Sequence, residues 1–316
     1  MSSRRSPLVL LGGALVSALL CAAVFPGVAL AVPSQASRSW LRTPGLVAHA
    51  MGGLTVRGAD GITRVYPYTN TREGFEQNYA KGYRIFEVDL IPTRDRKLVA
   101  RHDWTKGSFT SLAQKYPGHS PTRAEFMATK VLHSYTPLDV EAIAQLMRTH
   151  PDMYIITDTK DPGQANARAE IQMLRAQLGP DRNELSKRVI IQIYNEQMLK
   201  TVRSVYRFPN IIYTLYMLTT TTTRAVQFSQ ANDISAIVYD TTRWSTRFAA
   251  QIRAAGIASA VHTVNSASTA AMLRSHKVRY IYTDALAPGP SGGFRSLLSR
   301  TTVLAPTHMK LGKHGD

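Results

Sequence analysis

Short apolar runs alternate with helix-like segments along this chain of 316 residues, and this alternation restricts the possible folds more than any other feature. Eight runs have the continuous apolar character of strands that are covered on both faces: residues 46–48, 84–89, 153–158, 189–193, 211–215, 235–239, 258–264 and 279–283. Helices are predicted at 70–82 (with Asn70 as N-cap and Glu73 at the third helical position), 137–148, 165–178, 195–205, 242–255 and 268–275. The pattern predicts an α/β protein with a (β/α)8 TIM barrel; an open doubly wound sheet is the alternative.

One further apolar run breaks the alternation. Residues 98–102 also look like a strand, but only eight residues separate Asp89 from Leu98. A crossover between parallel strands needs a dozen residues or more, so residues 94–97 must form a tight turn. We therefore predict a β-hairpin over residues 87–102, inserted after the second barrel strand.

The N-terminal segment has the features of an export signal. Arg4 and Arg5 precede an apolar stretch over residues 7–31, which ends in Ala29-Leu30-Ala31. This order predicts cleavage after Ala31 and a periplasmic or secreted protein. An uncleaved membrane anchor is the alternative, since the stretch is long enough to span a bilayer.

The remaining chain divides by composition. The single cysteine, Cys21, lies in the predicted signal peptide, so an exported chain would have neither a disulfide nor thiolate chemistry. Residues 32–44 are expected to be a leader, residues 45–287 the barrel domain, and residues 288–316 a basic flexible tail.

The net charge points to an anionic partner but does not identify it. The chain has 38 Lys and Arg against 21 Asp and Glu, a formal charge of +17, which becomes +15 without the two signal-peptide arginines. Nucleic acid, anionic lipid and phosphorylated substrates would all suit this excess. We exclude nucleic acid because the sequence has no basic run of five residues, no zinc-knuckle spacing and no aromatic-basic motif.

Polar residues stand at the ends of the predicted strands, where the active sites of such barrels lie. They are His49, Glu87, Asp89, His102, Asp158 and Lys160. Three carboxylates without cysteine favour a hard cation, Mg²⁺ or Ca²⁺. Two imidazoles can then serve as general base and general acid, and a lysine can hold an anionic oxygen. This combination suits displacement at phosphorus.

The same residues belong to an ordered set of motifs that resembles the glycerophosphodiester phosphodiesterase family, within the phosphatidylinositol-phospholipase-C-like phosphodiesterases. The resemblance runs from about residue 45 to residue 286. It rests on Val47-Ala48-His49, Tyr68-Thr69-Asn70-Thr71, Phe86-Glu87-Val88-Asp89, Val99-Ala100-Arg101-His102-Asp103, Asp158-Thr159-Lys160, Ile191-Gln192-Ile193-Tyr194, Thr263-Val264-Asn265 and Tyr282-Thr283-Asp284.

The resemblance implies a fold, a reaction and a role for each residue. The fold would be a (β/α)8 barrel carrying the same hairpin, and the reaction would hydrolyse a glycerophosphodiester to an alcohol and glycerol phosphate. One divalent cation, Mg²⁺ or Ca²⁺, would be the cofactor. The implied acid/base pair is His49 and His102, the metal ligands are Glu87, Asp89 and Asp158, and the substrate contacts are Lys160, Gln192 and Asn70.

Three positions depart from the family pattern. Ala50 stands where an arginine normally follows the first histidine, so one phosphate clamp is missing, which Arg57, Arg64 or Lys160 would have to replace. The third ligand, Asp158, is one methylene shorter than the usual glutamate. His262 stands where the family has tryptophan, and it is either a packed residue or a participant.

Two alternatives in function follow from these departures. The Asp-x-Lys motif and His49-Ala50 also resemble phospholipase D toxins, which implies a phospholipase D-like enzyme acting on lysolipids or sphingolipids. Residues 52–68 would then form the loop that selects the head group. A non-catalytic barrel that binds phosphodiesters or lipid head groups is the second alternative. The partner is a small-molecule or lipid phosphodiester, and an anionic membrane surface is a further candidate.

Overall fold

The computed structural model describes residues 35–42, 45–104, 119–290 and 293–305; the predicted signal peptide, residues 1–31, lies outside them. The strands are, in chain order, β1 (Gly45–Ala48), β2 (Leu54–Arg57), β3 (Thr63–Tyr66), β4 (Ile85–Pro92), β5 (Leu98–Ala100), β6 (Tyr154–Asp158), β7 (Val189–Ile193), β8 (Asn210–Thr214), β9 (Ala236–Asp240), β10 (Ala258–His262), β11 (Tyr280–Thr283), β12 (Leu286–Pro288), β13 (Phe294–Ser296) and β14 (Thr302–Leu304).

The helices follow the barrel strands in alternation. They are α1 (Arg72–Ala80), α2 (Arg123–Met127), α3 (Val140–Thr149), α4 (Gln164–Gln177), α5 (Arg182–Leu185), α6 (Glu196–Val205), α7 (Thr222–Ala231), α8 (Thr246–Ala254) and α9 (Ala267–Ser275). Short 3₁₀ helices cover Gln35–Arg42, His49–Met51 and Ser186–Arg188. No helix among the described residues is long and apolar enough to cross a membrane.

Eight parallel strands close into a barrel. Their order is β1, β4, β6, β7, β8, β9, β10 and β11, and β11 pairs back with β1. This confirms the predicted (β/α)8 fold and excludes the open sheet. Each barrel strand has apolar side chains on both faces: one set fills part of the barrel interior, and the other packs against the surrounding helices.

The hairpin that breaks the alternation is present as predicted. β4 extends beyond the barrel and pairs antiparallel with β5, with Leu90 opposite Ala100 and Pro92 opposite Leu98. The Thr93 N–H donates to the Lys97 carbonyl at 2.8 Å and closes the turn. The side chain of Gln177, from α4, bonds both the N–H and the carbonyl of Leu98. The return strand is thereby held against the barrel wall.

The helix boundaries differ from the predictions where the choice of capping residue was ambiguous. Thr71, and not Asn70, caps α1, because its side chain accepts from the Gly74 N–H at 3.2 Å. Glu73 bonds Thr136 instead of completing a capping box. α7 was not predicted, since the threonine-rich sequence before it has low helix propensity; Thr221 caps it by accepting from the Arg224 N–H.

The segment expected to be a leader closes the N-terminal end of the barrel. The Trp40 side chain is 6 % exposed, and its indole N–H donates to Asn210 Oδ1 at 2.9 Å. Its ring lies 5.1 Å from that of Tyr280 at the start of β11. Trp40 is therefore part of the domain, whose boundary lies before residue 45.

Two regions predicted as loop and tail contain strands. Within residues 52–68, β2 and β3 form an antiparallel hairpin, so this region is not a free loop. Beyond Pro288, β13 pairs with β12 and β14 pairs with β3. The expectation of a flexible tail is therefore wrong for residues 294–304. These strands are short and mixed in polarity, which is why periodicity did not reveal them.

Candidate active site

Barrel closure gathers three carboxylates at the C-terminal end of the barrel, two from the part of β4 that pairs with β6 and one from the last residue of β6. Asp89 lies directly opposite Asp158 in the parallel register, and Glu87 lies two residues earlier on the same face as Asp89. One oxygen from each of the three side chains lies within 4.8 Å of the others, and all three residues are buried. The structure thus brings the predicted ligand set together.

This acidic triad fits a hard cation. All its donors are carboxylate oxygens, the type that Mg²⁺ and Ca²⁺ prefer. Glu87 Oε1 is buried and has no hydrogen-bond partner among the described residues. Burial and the neighbouring Asp89 charge raise the pKa of Glu87 to about 8. A divalent cation would supply the missing partner and favour the ionised form.

Lys160 partly neutralises the triad. Its ammonium donates to Asp89 Oδ1 at 2.5 Å and also to Asp158 Oδ2. Although burial alone would raise the pKa of Asp89, Lys160 and the two nearby imidazoles, His102 and His49, lower it to about 2. Asp89 is therefore ionised at neutral pH, when Glu87 is only partly so.

The other two predicted substrate contacts also bind carboxylates. Asn70 is fully buried; its Nδ2 donates to Asp89 Oδ2 at 2.8 Å, and its Oδ1 accepts from the Asp89 N–H at 3.2 Å. Gln192 Nε2 donates to Asp158 Oδ1 at 3.1 Å. These contacts orient the triad, while a direct contact of Lys160, Gln192 or Asn70 with substrate remains a prediction.

Each predicted catalytic histidine is held by a carboxylate. His49, which follows β1, has its Nδ1 2.8 Å from Asp284 Oδ1, and His102 has its Nδ1 2.7 Å from Asp103 Oδ2. Burial alone would lower the pKa of His49, but the Asp284 charge and hydrogen bond raise it to about 9. Because Nδ1 is engaged in both rings, Nε2 is the nitrogen left for proton transfer.

A tyrosine ring lies between the two imidazoles. Tyr68 contacts His49 edge-to-face at a centroid distance of 4.6 Å and His102 at 5.1 Å. Its backbone has a left-handed φ of 57°. The residue follows β3 and directly precedes the Thr69–Asn70 segment that holds Asp89. The segment of residues 68–70 thus sets both the separation of the two imidazoles and the orientation of Asp89 in the triad.

Several residues of the site were given no role in the sequence analysis, although Asp284, Asn265 and Tyr194 lie in its motifs. Asp284 is the carboxylate on His49, and Asn265 Nδ2 donates to its second oxygen at 3.0 Å. The hydroxyl of Tyr194 donates to Asp158 Oδ1, and that of Tyr216 lies 3.3 Å from the same atom. Asp284 stands directly after a barrel strand, so the criterion that selected His49 could also have found it. Tyr194 ends one of the quoted motifs, whereas Tyr216 belongs to none of them and carries no comparable signal in the sequence.

Ala50 stands where the family that the sequence resembles has an arginine. Arg64, in the β2–β3 hairpin, does not replace that arginine, because it forms an ion pair with Asp60 at 2.6 Å. Ala50 itself contributes through its backbone: its N–H donates to Glu87 Oε2 at 2.7 Å. Lys160 is the member of the proposed substitutes that lies within the site.

A cavity of about 40 Å³ opens beside the triad, and it is lined by His49, Glu87, Asp158, Thr214, His262 and Tyr282 among others. The ring of His262 packs edge-to-face against Tyr216 at 5.6 Å and Tyr282 at 6.2 Å. Burial and the nearby His49 charge lower the pKa of His262 to about 4, so it is neutral. His262 is thus a packed residue that also faces the site.

Comparison with known proteins agrees with this geometry. Residues 57–287 match the family model described as the glycerophosphoryl diester phosphodiesterase family. A phosphodiesterase from Oleispira antarctica, solved with the product sn-glycerol-3-phosphate, superposes with a TM-score of 0.59 at 16 % identity, over 78 % of this chain and 94 % of the other. A glycerophosphodiester phosphodiesterase from Parabacteroides distasonis has a TM-score of 0.59 at 16 % identity, over 77 % and 93 %. No curated protein sequence matches the chain.

Proposed function

The chain belongs to the glycerophosphoryl diester phosphodiesterase family, whose members are phosphoric diester hydrolases, and on this premise we propose that it hydrolyses glycerophosphodiesters to an alcohol and glycerol phosphate. One observation carries the proposal: two imidazoles, each bonded to a carboxylate, flank one tyrosine ring beside a buried acidic triad. Acid and base must both be positioned to cleave an ester with a poor alkoxide leaving group, and this arrangement supplies both.

His49 and His102 form the acid/base pair. One imidazole takes the proton from the attacking hydroxyl, and the other gives a proton to the departing alcohol oxygen, through Nε2 in each case. Asp284 and Asp103 hold the rings by Nδ1 and favour the imidazolium that forms on either of them. The overall reaction adds one water across the P–O bond, whether water attacks directly or follows an internal hydroxyl.

Glu87, Asp89 and Asp158 would hold one Mg²⁺ or Ca²⁺. The bound cation offsets negative charge on the phosphate oxygens. Lys160 adds a fixed positive charge at the same edge, and its buried ion pairs with Asp89 and Asp158 keep it there. The Oleispira antarctica phosphodiesterase, whose structure contains sn-glycerol-3-phosphate, supports glycerol phosphate as the released product.

The direct test is hydrolysis of glycerophosphocholine and glycerophosphoethanolamine with Mg²⁺, with Ca²⁺ or with EDTA. We expect release of glycerol phosphate with at least one cation and its loss in EDTA. Glu87→Gln should weaken cation binding in a titration; an unchanged titration would remove Glu87 from the ligand set. If neither substrate is cleaved under any metal condition, the non-catalytic binder becomes the better account.

A phospholipase D-like activity on lysolipids is the second candidate, and one observation favours it. Tyr216, whose hydroxyl reaches Asp158, is 39 % exposed, and Met217 beside it is 38 % exposed. Apolar side chains next to the pocket could contact an acyl chain. Lysophosphatidylcholine in the same assay separates the two: choline release from it, without cleavage of glycerophosphocholine, would favour the second activity.

We also propose that the enzyme is exported and encounters anionic membrane surfaces. The order of residues 4–31 and the positive charge support this. N-terminal sequencing of the protein from culture fluid or periplasm should begin at Val32. Recovery of the intact N-terminus in the membrane fraction would instead show an uncleaved anchor.

A further inference from the structure

The cavity beside the triad is also lined by buried polar atoms that have no partner in the described part of the chain. Thr214 Oγ1, His262 Nε2 and Tyr282 Oη make no hydrogen bond among the described residues. Thr214 is 1 % exposed and Tyr282 is 3 % exposed. All three residues line the one cavity, at the ends of β8, β10 and β11.

Such atoms are costly to leave unpaired. A buried hydroxyl or imidazole nitrogen without a partner loses its interaction with water and gains nothing in return. Three such unpartnered atoms around one small cavity therefore indicate that the cavity binds groups that donate and accept hydrogen bonds. The cavity volume of about 40 Å³ has room for roughly three water-sized groups.

We propose that Thr214, His262 and Tyr282 form a hydroxyl-binding subsite, which takes the free hydroxyls of the glycerol moiety while the phosphate lies over the triad. This inference rests on the proposed function, because it assigns the glycerol moiety of the proposed substrate to the cavity. His49, Glu87 and Asp158 line the same cavity, so the bound hydroxyls lie next to the reacting phosphate.

The chemistry of the three groups selects hydroxyls over other head groups. Thr214 and Tyr282 are neutral hydroxyls that both donate and accept, and His262 is a neutral imidazole that does one or the other according to its tautomer. A quaternary ammonium group offers none of them a hydrogen bond, and an apolar group would leave all three unpaired. Neutral partners also give no preference for a second anion.

The subsite occupies a position where this chain departs from its family. His262 stands where the family pattern has tryptophan, and only the imidazole offers a nitrogen that can accept. Its ring is held in place by Tyr216 and Tyr282 at 5.6 and 6.2 Å. The substitution therefore exchanges an aromatic wall for a fixed hydrogen-bonding group.

The test compares two phosphates with the same three-carbon chain by calorimetry, with the full-length protein and a constant concentration of Mg²⁺. sn-Glycerol 3-phosphate carries two free hydroxyls, and n-propyl phosphate carries none. We expect the wild-type protein to bind glycerol phosphate about tenfold more tightly or better, since each buried hydrogen bond lost costs a substantial factor in affinity. Tyr282→Phe and Thr214→Val should each reduce this ratio severalfold.

Tyr239→Phe is the matched control. Tyr239 is a fully buried tyrosine of β9 that packs on Phe248 of α8, on the outer face of the barrel sheet. We expect its removal to leave the preference for glycerol phosphate unchanged. Because the readout is a ratio of two affinities in one protein, a general loss of stability does not alter it, and Thr214→Val serves if Tyr282→Phe fails to fold.

The outcomes separate the subsite from the proposed function. Equal affinity of the wild-type protein for the two phosphates overturns the subsite, even if the protein hydrolyses glycerophosphodiesters. An equal loss of preference in Tyr239→Phe overturns it as well. A clear preference in a protein that cleaves no diester supports the subsite and rejects the hydrolase.

Discussion

At the scale of single residues, the site depends on carboxylates that hold other side chains. Asp284 and Asp103 hold the imidazoles, whereas Glu87, Asp89 and Asp158 face the space for a cation. These two kinds of carboxylate need opposite environments. The first must accept a hydrogen bond from a ring nitrogen, and the second must offer oxygens to a cation, as Glu87 does with its unpartnered Oε1.

Replacement of His49 or His102 tests the proposed acid/base assignment. We expect His49→Ala and His102→Ala each to reduce turnover by about 10²–10⁴-fold, the range typical of a lost general acid or base. The midpoint of thermal unfolding should also fall somewhat, because the side chains are only 13 % and 18 % exposed and each substitution removes the imidazole that bonds a carboxylate. His276→Ala, in an exposed helix end, is the control and should retain full activity. Near-normal rates in either site variant would contradict the assignment.

Asp284→Asn tests the positioning of His49. The Asp284 charge stabilises the imidazolium and thereby raises the pKa of His49 to about 9, so its removal must lower that pKa. We expect the limb of the kcat/KM profile near pH 9 to move to lower pH, and kcat to fall by about 10²-fold or more. A profile that keeps its limb while the rate falls would show that Asp284 is only structural.

At the scale of secondary-structure elements, the short barrel strands were easier to predict from the sequence than the helices. All eight barrel strands were predicted from apolar runs, with boundaries within about three residues, because a strand buried on both faces tolerates few polar residues. The helix starts were less predictable. Several adjacent residues could cap α1, and only the backbone direction selects Thr71.

The hairpin strand β5 positions His102, and Gln177 tests this dependence. Gln177→Leu removes both bonds to Leu98 and leaves a buried N–H unpaired, which we expect to cost about 1–3 kcal/mol. The midpoint of thermal unfolding should fall by roughly 2–4 °C for each kcal/mol, and amide exchange should accelerate at residues 98–100.

Activity should fall together with stability, since His102 lies two residues after the end of β5. Gln172→Leu is the matched control, because Gln172 lies on the same helix but is exposed. If the two variants behave alike, Gln177 does not support the hairpin.

At the scale of the whole molecule, the net charge and the site have opposite signs. The chain carries +17, but the triad and the two positioning carboxylates make the rim rich in acidic groups. We therefore expect the positive surface to attract an anionic substrate at a distance, whereas Lys160 places its charge within the site.

Salt should weaken this long-range attraction. We expect kcat/KM for glycerophosphoglycerol, which is anionic, to fall as ionic strength rises from about 0.01 to 1 M, since the screening length shrinks from about 30 to 3 Å. Glycerophosphocholine, which is zwitterionic, should respond less. Circular dichroism at each salt concentration controls for unfolding. An identical salt response for both substrates would show that surface charge has no part in capture.

The sequence by itself determined the architecture and the list of candidate groups. Alternating apolar runs specify a parallel barrel, and polar residues at strand ends, in the order of a known family, indicate a phosphodiesterase. Local patterns suffice for this, because strand burial and motif spacing are properties of neighbouring residues.

Only the tertiary structure decided which groups act together. Asp284 bonds His49 across 235 residues, and the Tyr68 ring separates two histidines that follow different strands. Barrel closure and strand register create these contacts, and no short segment of the sequence specifies either of them. The same is true of Thr214, His262 and Tyr282, which become one polar wall only when β8, β10 and β11 converge around a common cavity.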